Sequence, residues 1–196
     1  MTDARPAGGL DRSDSLGAVN REATQAFAEL YDDEVWHVYG FFGYRVNSRE
    51  EAEDLTQLTF ERALRAWDRF DARRASPRTW LLAIAHNLLI DHYRGEASAR
   101  SEPLPEGDAG EAVMGREEDP SETALGVSPE LETALGALTE RERELIALRF
   151  GGDLRGPEIA MVTGLSVDNV HQILSRSLRK LRGDLEARNA PERSAP

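Results

Sequence analysis

Apolar residues recur at helical spacing through the first half of the chain, between residues 21 and 94. One stripe runs through Phe27, Leu30, Tyr31, Val35 and Val38, and another through Ala52, Leu55, Thr59, Ala63, Trp67 and Phe70. Such spacing predicts amphipathic helices. The pattern breaks at residues 43–48 and 71–77, and Ser76-Pro77 is suited to cap a third helix from about Arg78 to Arg94. Residues 21–95 are therefore predicted to form a helical domain, module one.

A second helical pattern begins near Pro129 and predicts module two, residues 131–186. Thr139 and Glu142 have the spacing of a capping box, which would begin a helix that ends at Gly151-Gly152. No stretch of the chain alternates apolar and polar residues between hairpin turns, as strands would. We therefore expect an all-α fold made of two small helical domains.

The segment between the modules, residues 96–130, is predicted to be a flexible acidic linker. Residues 95–130 contain ten Asp and Glu against Arg100 and Arg116, together with four prolines. A segment of this composition cannot bury enough apolar surface to fold by itself. Residues 1–20 and 187–196 are predicted to be tails, and residues 1–20 have no apolar periodicity.

Residues 156–182 of module two have the pattern of a helix-turn-helix. Pro157 suits the first turn of a short helix, Gly164 the left-handed turn that ends it, and Ser166 the cap of the next helix. The residues expected to be buried on this second helix are Val170, Ile173, Leu174, Leu178 and Leu181. An ordinary helical hairpin is the alternative interpretation.

In a helix-turn-helix, the second helix enters the major groove of DNA and its outer side chains contact bases and phosphates. The residues predicted to do so are Ser166, Asp168, Asn169, His171, Gln172, Arg176 and Arg179. Arg176 is the strongest candidate for a phosphate contact because it lies within three turns of the start of the helix. Alternatively, the cations of this helix could be solvated side chains that complement the helix dipole.

Two stretches of module one, EAEDLTQLTFERA at 51–63 and RTWLLAIAHNLLIDHYR at 78–94, resemble conserved region two of the sigma-70 family. Residues 131–185 similarly resemble region four. The match covers residues 22–94 and 131–185, in the order typical of small extracytoplasmic-function (ECF) sigma factors. The resemblance implies a subunit that binds core RNA polymerase and recognises the minus-ten and minus-thirty-five elements of promoter DNA.

The resemblance also implies roles for particular residues of module one. Asp54, Gln57 and Glu61 share one helix face and would contact a basic coiled coil of the polymerase large subunit, although a solvated face is the alternative. The minus-ten element would be bound by Arg73, Arg74, Arg78, Asn87, Asp91 and Arg94. Trp80 lies beside Ile84 and Leu88 on its helix, which favours a role in the core. Where this chain has His86, members of the family often have Arg.

Composition limits the other functions that we consider. The chain has no cysteine and four histidines without metal-ligand spacing, and no phosphate-binding or nucleophile motif, so we expect no metal, no cofactor and no enzymatic activity. The net charge of −12 is unusual for a DNA-binding protein, but residues 62–94 hold seven Arg against three Asp. The alternative function is a LuxR-type activator, which has a similar helix-turn-helix.

The partners expected from the sequence are core RNA polymerase, through its large-subunit coiled coil and its flap, and promoter DNA. An anti-sigma factor is a further candidate. The chain has no apolar run of about 20 residues and no signal-peptide core, so we expect a cytoplasmic protein without membrane insertion.

Overall fold

The computed structural model describes residues 12–46, 48–101 and 129–189. These residues form seven α-helices: α1 (Arg12–Gly43), α2 (Arg49–Arg65), α3 (Pro77–Ser101), α4 (Pro129–Gly136), α5 (Glu140–Ile146), α6 (Gly156–Thr163) and α7 (Val167–Asn189). A 3-10 turn (Trp67–Arg69) follows α2, and a π-helical turn (Ala147–Gly151) follows α5. The described residues contain no strand, which confirms the all-α prediction.

Some predicted domain boundaries differ from those of the helices. Residues 12–20 were expected in a tail but form the start of α1, because a helix that is nucleated further along gains one backbone hydrogen bond for each residue added. For the same reason α3 extends through residues 96–101 and α7 through 187–189, where a linker and a tail were predicted. Helix α4 begins at Pro129, so residues 129 and 130 of the predicted linker are helical too, whereas residues 102–128 and the rest of both tails lie outside the described residues.

Local interactions explain where several helices begin. The Ser48 hydroxyl accepts a hydrogen bond from the Glu51 amide at 3.1 Å and caps α2, and the Ser76 hydroxyl accepts one from the Thr79 amide at 3.1 Å next to the start of α3. The predicted capping box at Thr139 is present at the start of α5. These caps satisfy amides that have no partner within the helix itself.

The chain divides into two compact units, one ending at Asp33 and the other beginning at Glu34. In the first unit, Gln25 donates a hydrogen bond to Glu29 one turn later along α1. The second unit contains the end of α1 and all later elements, and so includes most of module one and all of module two.

Within the second unit, both modules contribute buried apolar side chains. In module one, α3 packs on α2, and the fully buried large side chains are Val38, Phe41, Phe42, Leu81 and Leu82. In module two, α7 packs on α4, α5 and α6, around Leu145, Ile146, Leu148, Leu154, Ile159 and Val170. The modules are also in contact, since α3 packs on α6. Helical periodicity did not predict that contact.

The capping box of α5 gives a prediction for stability. Replacing Thr139 with Ala removes the hydroxyl that accepts from the Glu142 amide, so the free energy of unfolding should fall by about 1 kcal/mol. Urea denaturation at pH 7 measures this loss. Ser175→Ala, at an exposed position of α7, is the matched control and should change stability by less than about 0.5 kcal/mol.

The same box should be sensitive to acid. The hydrogen bond from the Thr139 amide lowers the pKa of Glu142 below its usual value near 4.5. A lowered pKa means that the stabilisation is present above pH 4.5 and is lost as the pH falls through the lower, folded-state pKa. Glu142→Gln should therefore flatten the pH dependence of unfolding below pH 4.5, and an unchanged profile would contradict this role.

Candidate polymerase and nucleic-acid interfaces

The acidic face of α2 is open to solvent. Asp54 and Gln57 are exposed and Glu61 is half-buried, and the Gln57 amide donates a hydrogen bond to the Glu61 carboxylate at 3.2 Å. Leu58 and Leu64 are also exposed, with 43% and 57% of their surface accessible. Neither leucine was among the predicted interface residues, although both fall outside the buried stripe of α2. An exposed face that combines acidic and large apolar side chains is suited to binding a protein surface.

The loop before α3 is organised by Asp71. Its carboxylate accepts hydrogen bonds from the Arg73 amide at 3.0 Å and from the Arg73 guanidinium at 2.9 Å and 3.0 Å. These bonds, the side-chain bonds above all, hold the pKa of Asp71 below its usual value. Arg73 remains 90% exposed and Arg74 is exposed, so two cations are presented on a loop of fixed conformation.

Three aromatic rings lie beside this loop. Trp67 stacks on Phe70 at 5.4 Å between ring centres, and Phe70 lies 5.0 Å from Trp80. Phe70 and Trp80 line a cavity of about 330 Å³ that is also lined by Arg69, Asp71 and Arg74. Trp80 was expected in the core, but it is half-buried and lines this cavity. The polar neighbours of Trp80 belong to the loop before α3. The position of that loop next to Trp80 depends on the tertiary fold, so helical spacing could not predict it.

The predicted minus-ten residues of α3 have different surroundings. Asn87 and Arg94 are exposed, and the exposed Asp91 pairs with Arg62 of α2 at 3.4 Å. Arg78 is less available, because its guanidinium pairs with Glu34 at 2.8 Å and with Asp153 of module two at 2.9 Å.

Module two has the predicted helix-turn-helix geometry. Pro157 lies in the first turn of α6, and Gly164 ends that helix with a left-handed backbone (φ 72°). The Ser166 hydroxyl accepts a hydrogen bond from the Asn169 amide at 3.3 Å, as expected of a cap. The residues predicted to contact the minus-thirty-five element are all exposed: Ser166, Asp168, Asn169, His171, Gln172, Arg176 and Arg179.

The buried face of α7 differs from the prediction most clearly at Leu178, while Ile173, which was also predicted to be buried, is half-buried. Leu178 is 43% exposed, so its predicted burial is wrong, and Ser177 is fully buried in its place. Val170, Leu174, Ser177 and Leu181 recur every three or four residues and form one stripe, from which Leu178 is rotated by about 100°. The Ser177 hydroxyl donates to the Ile173 carbonyl at 2.9 Å, which explains how a polar residue is tolerated there.

Two further side chains of α7 make contacts within module two. The ring of His171 lies where a side chain at Gly156 would be, and therefore reaches back towards the start of α6. The Lys180 ammonium donates to the Ala137 carbonyl and lies 3.9 Å from Glu142. Lys180, although exposed, is thus held by contacts within module two.

The described residues contain no group of three or more His, Cys, Asp or Glu that could hold a metal ion. No described helix is long and apolar enough to cross a membrane.

Comparison with protein families gives two matches. Residues 30–99 match the model of sigma-70 region 2, and residues 134–183 match that of sigma-70 region 4.

Individual relatives agree with these matches. The ECF RNA polymerase sigma factor BldN of Streptomyces coelicolor is 32% identical over 181 residues, which are 90% of this chain and 68% of BldN. SigC of Mycobacterium tuberculosis is 34% identical over 174 residues, 85% of each chain. Among solved structures, CnrH in complex with the cytosolic domain of CnrY is 28% identical, with a TM-score of 0.55 over 86% of this chain and 90% of CnrH.

The left-handed turn of the helix-turn-helix gives a pair of predictions of opposite sign. A side chain at Gly164 would meet no neighbouring atom, so Gly164→Ala should destabilise the protein only through backbone strain, by about 1 kcal/mol. Gly183→Ala, within α7 and equally free of neighbours, should stabilise it by up to about 1 kcal/mol. Thermal unfolding of both variants checks this, and equal shifts in Tm would contradict the left-handed requirement.

Proposed function

Because the chain belongs to the ECF class of the sigma-70 family, whose members are promoter-recognising transcription initiation factors, we propose that its modules recognise the two promoter elements separately. Module one binds core RNA polymerase and the opened minus-ten strand, and module two binds the minus-thirty-five duplex. The observation that carries this proposal is the presence of regions two and four in one chain, in that order.

The acidic and apolar face of α2 is proposed as the main contact with polymerase. Asp54, Gln57 and Glu61 would pair with basic groups of the large-subunit coiled coil, and Leu58 and Leu64 would be buried against its apolar surface. Apolar contacts of this kind supply much of the affinity of a protein interface, while complementary charges set its orientation and association rate. Module two is proposed to bind the flap.

The module-one side of the aromatic cavity, which includes Phe70 and Trp80, is proposed to bind an unstacked base of the displaced minus-ten strand. A base stacks on aromatic rings, and Trp80 and Phe70 line the cavity. Arg73 and Arg74 would contact phosphates on the same strand, and Asn87, Asp91 and Arg94 would follow its path along α3. Arg78 could join them only after leaving Asp153.

The exposed side of α7 is proposed to read duplex DNA. Asn169 and Gln172 have the amides that pair with base edges, and Arg176 and Arg179 have the charge that phosphates attract. Ser166, Asp168 and His171 lie at the same end of the helix. Since the whole chain carries a net charge of −12, the free protein should bind DNA weakly until polymerase adds its own contacts.

Three further properties belong to the same proposal. The protein acts as a specificity subunit without chemistry of its own. It works in the cytoplasm, where polymerase and promoter DNA are found. An anti-sigma factor is a candidate partner, because the related CnrH was solved in complex with the cytosolic domain of CnrY.

Run-off transcription tests the proposed function. Core RNA polymerase with this protein should select promoters from a library of randomised templates, and core polymerase alone should not. Tight, specific binding of the free protein to duplex DNA, without any effect on run-off transcription, would instead support the LuxR-type alternative.

Two sets of variants should separate the two modules. The triple variant D54A/Q57A/E61A should weaken binding to core polymerase, measured by fluorescence anisotropy, without changing the thermal stability of the protein. Arg176→Ala should leave that affinity unchanged but weaken holoenzyme binding to the selected promoter, and it should reduce the slope of log K against log salt by about 0.9 for one lost phosphate contact.

Arg188→Ala is the matched control for Arg176, because it removes an exposed arginine at the far end of the same helix. It should leave the salt slope unchanged. If both arginine variants lower the slope equally, the effect comes from net charge, and the proposed position of the DNA on α7 is wrong.

A further inference from the structure

The contact between the modules has a consistent polarity of charge. Carboxylates of module two meet arginines, a histidine ring or a hydroxyl donor of module one in four places. The pairs are Arg45 with Glu140 at 2.7 Å, Arg78 with Asp153 at 2.9 Å, His86 with Glu144 at 2.5 Å, and Thr79 with Glu158 at 3.2 Å. We call Glu140, Glu144, Asp153 and Glu158 the acidic edge of module two.

Arg45 shows how closely the acidic edge fits. Its side chain is only 6% exposed, and its guanidinium donates both to the Glu140 carboxylate and, at 3.0 Å, to the Glu140 backbone carbonyl. It also lies 5.6 Å from the centre of the Tyr93 ring. A buried guanidinium without a carboxylate would be strongly destabilising, so module two supplies a partner that Arg45 needs in this arrangement.

His86 and Glu144 form a second buried pair. Their side chains are 12% and 13% exposed, and Arg141 also donates to Glu144, at 2.7 Å. Burial favours the neutral carboxyl, but the bonds from His86 and Arg141 outweigh it and hold the pKa of Glu144 below its usual value. The histidine that departs from the family pattern is therefore a contact between the modules.

The backbones approach closely beside these pairs. A side chain on Gly40 would come within 2.8 Å of the Gly151 carbonyl oxygen, and one on Gly151 would collide with the backbone of Gly40. A side chain on Gly152 would come within 2.6 Å of the Leu82 side chain. The contact therefore depends on shape as well as charge.

The acidic edge occupies groups that the proposed function assigns to promoter DNA. Asp153 holds Arg78, and Glu158 accepts a hydrogen bond from Thr79, which lines the aromatic cavity. Met161 and Val162 of α6 form another wall of that cavity.

The distance between the promoter elements is also incompatible with this contact. The minus-ten and minus-thirty-five elements are about 25 base pairs apart, or about 85 Å along B-form DNA. Helix α6 is eight residues and about 12 Å long, so the start of α7 lies close to the aromatic cavity that α6 adjoins. The modules cannot read both elements while α6 lies against module one.

We propose that the acidic edge of module two is a docking surface for the promoter-binding side of module one, and that the docked chain is an autoinhibited state which must open before promoter binding. The anionic edge takes the place of DNA phosphates on Arg78. The inhibition of promoter binding rests on the proposed function, but the docking itself can be measured without polymerase.

Distance measurements between spin labels test the docking directly. The chain has no cysteine, so Glu53→Cys in α2 and Glu186→Cys in α7 provide one label in each module, at exposed positions away from the acidic edge. Electron–electron double resonance of this labelled full-length protein should give one narrow, short distance distribution. A broad distribution in the otherwise unchanged protein would overturn the proposal.

Two different changes should open the docked state. Glu140→Gln with Glu144→Gln removes two charges of the acidic edge, and Gly151→Ala introduces a steric clash with Gly40. Both should shift the distances to a longer and broader distribution. The matched controls, Glu132→Gln at an exposed site and Gly183→Ala in open space, should keep the narrow one. Far-UV circular dichroism during heating distinguishes opening from unfolding, and the charge variant remains a test if Gly151→Ala unfolds.

Run-off transcription then tests inhibition. If the open state is about a tenth of the molecules, complete opening should lower the protein concentration for half-maximal run-off about tenfold. Variants that open but require the same or a higher concentration would show that the docking is not inhibitory. If the unchanged protein supports no promoter-specific transcription, the proposed function fails, whereas the label distances still decide whether the modules dock.

Discussion

The approach of Gly40 in α1 to Gly151 after α5 is the constraint on which the contact between the modules depends. Neither position can accept a side chain without displacing the backbone opposite. With the backbones at this distance, Arg45 reaches Glu140 and His86 reaches Glu144, although 95 and 58 residues separate the partners along the chain. Beside these pairs the Leu82 side chain of module one lies against Gly152, so the seam between the modules combines polar pairs with close packing.

The seam combines geometric fit with paired polar groups. Its ion pairs are satisfied when the modules are in contact, and water can solvate the same groups when the modules separate. Interfaces of this polarity resemble transient protein–protein contacts more than a domain core. A polymerase surface or a DNA strand that binds one module better in the open state would shift the equilibrium by that difference in affinity.

The positions of the charged side chains matter more for binding than the net charge of the molecule. A net charge of −12 opposes DNA binding, yet exposed arginines are placed on the loop before α3 and on α7. The acidic side chains of α2 are exposed at a face that includes Leu58 and Leu64. The acidic side chains of the seam instead meet Arg45, Arg78 and His86. Acidic side chains thus occur in two different environments, one open to solvent and one paired with module one. The net charge of the chain does not distinguish between them.

Local patterns in the sequence were sufficient to predict the helices, the Thr139 cap, the left-handed Gly164 and the family, because these features depend on residues within a few positions of one another. They were insufficient for Leu178, whose place in the core is taken by Ser177, since helix rotation against its neighbours decides which side chains are buried. Only the tertiary structure determined the partners of Arg78 and His86 and the polar surroundings of Trp80. These contacts depend on which surfaces, far apart in the sequence, pack against each other. Helical periodicity contains no information about such packing.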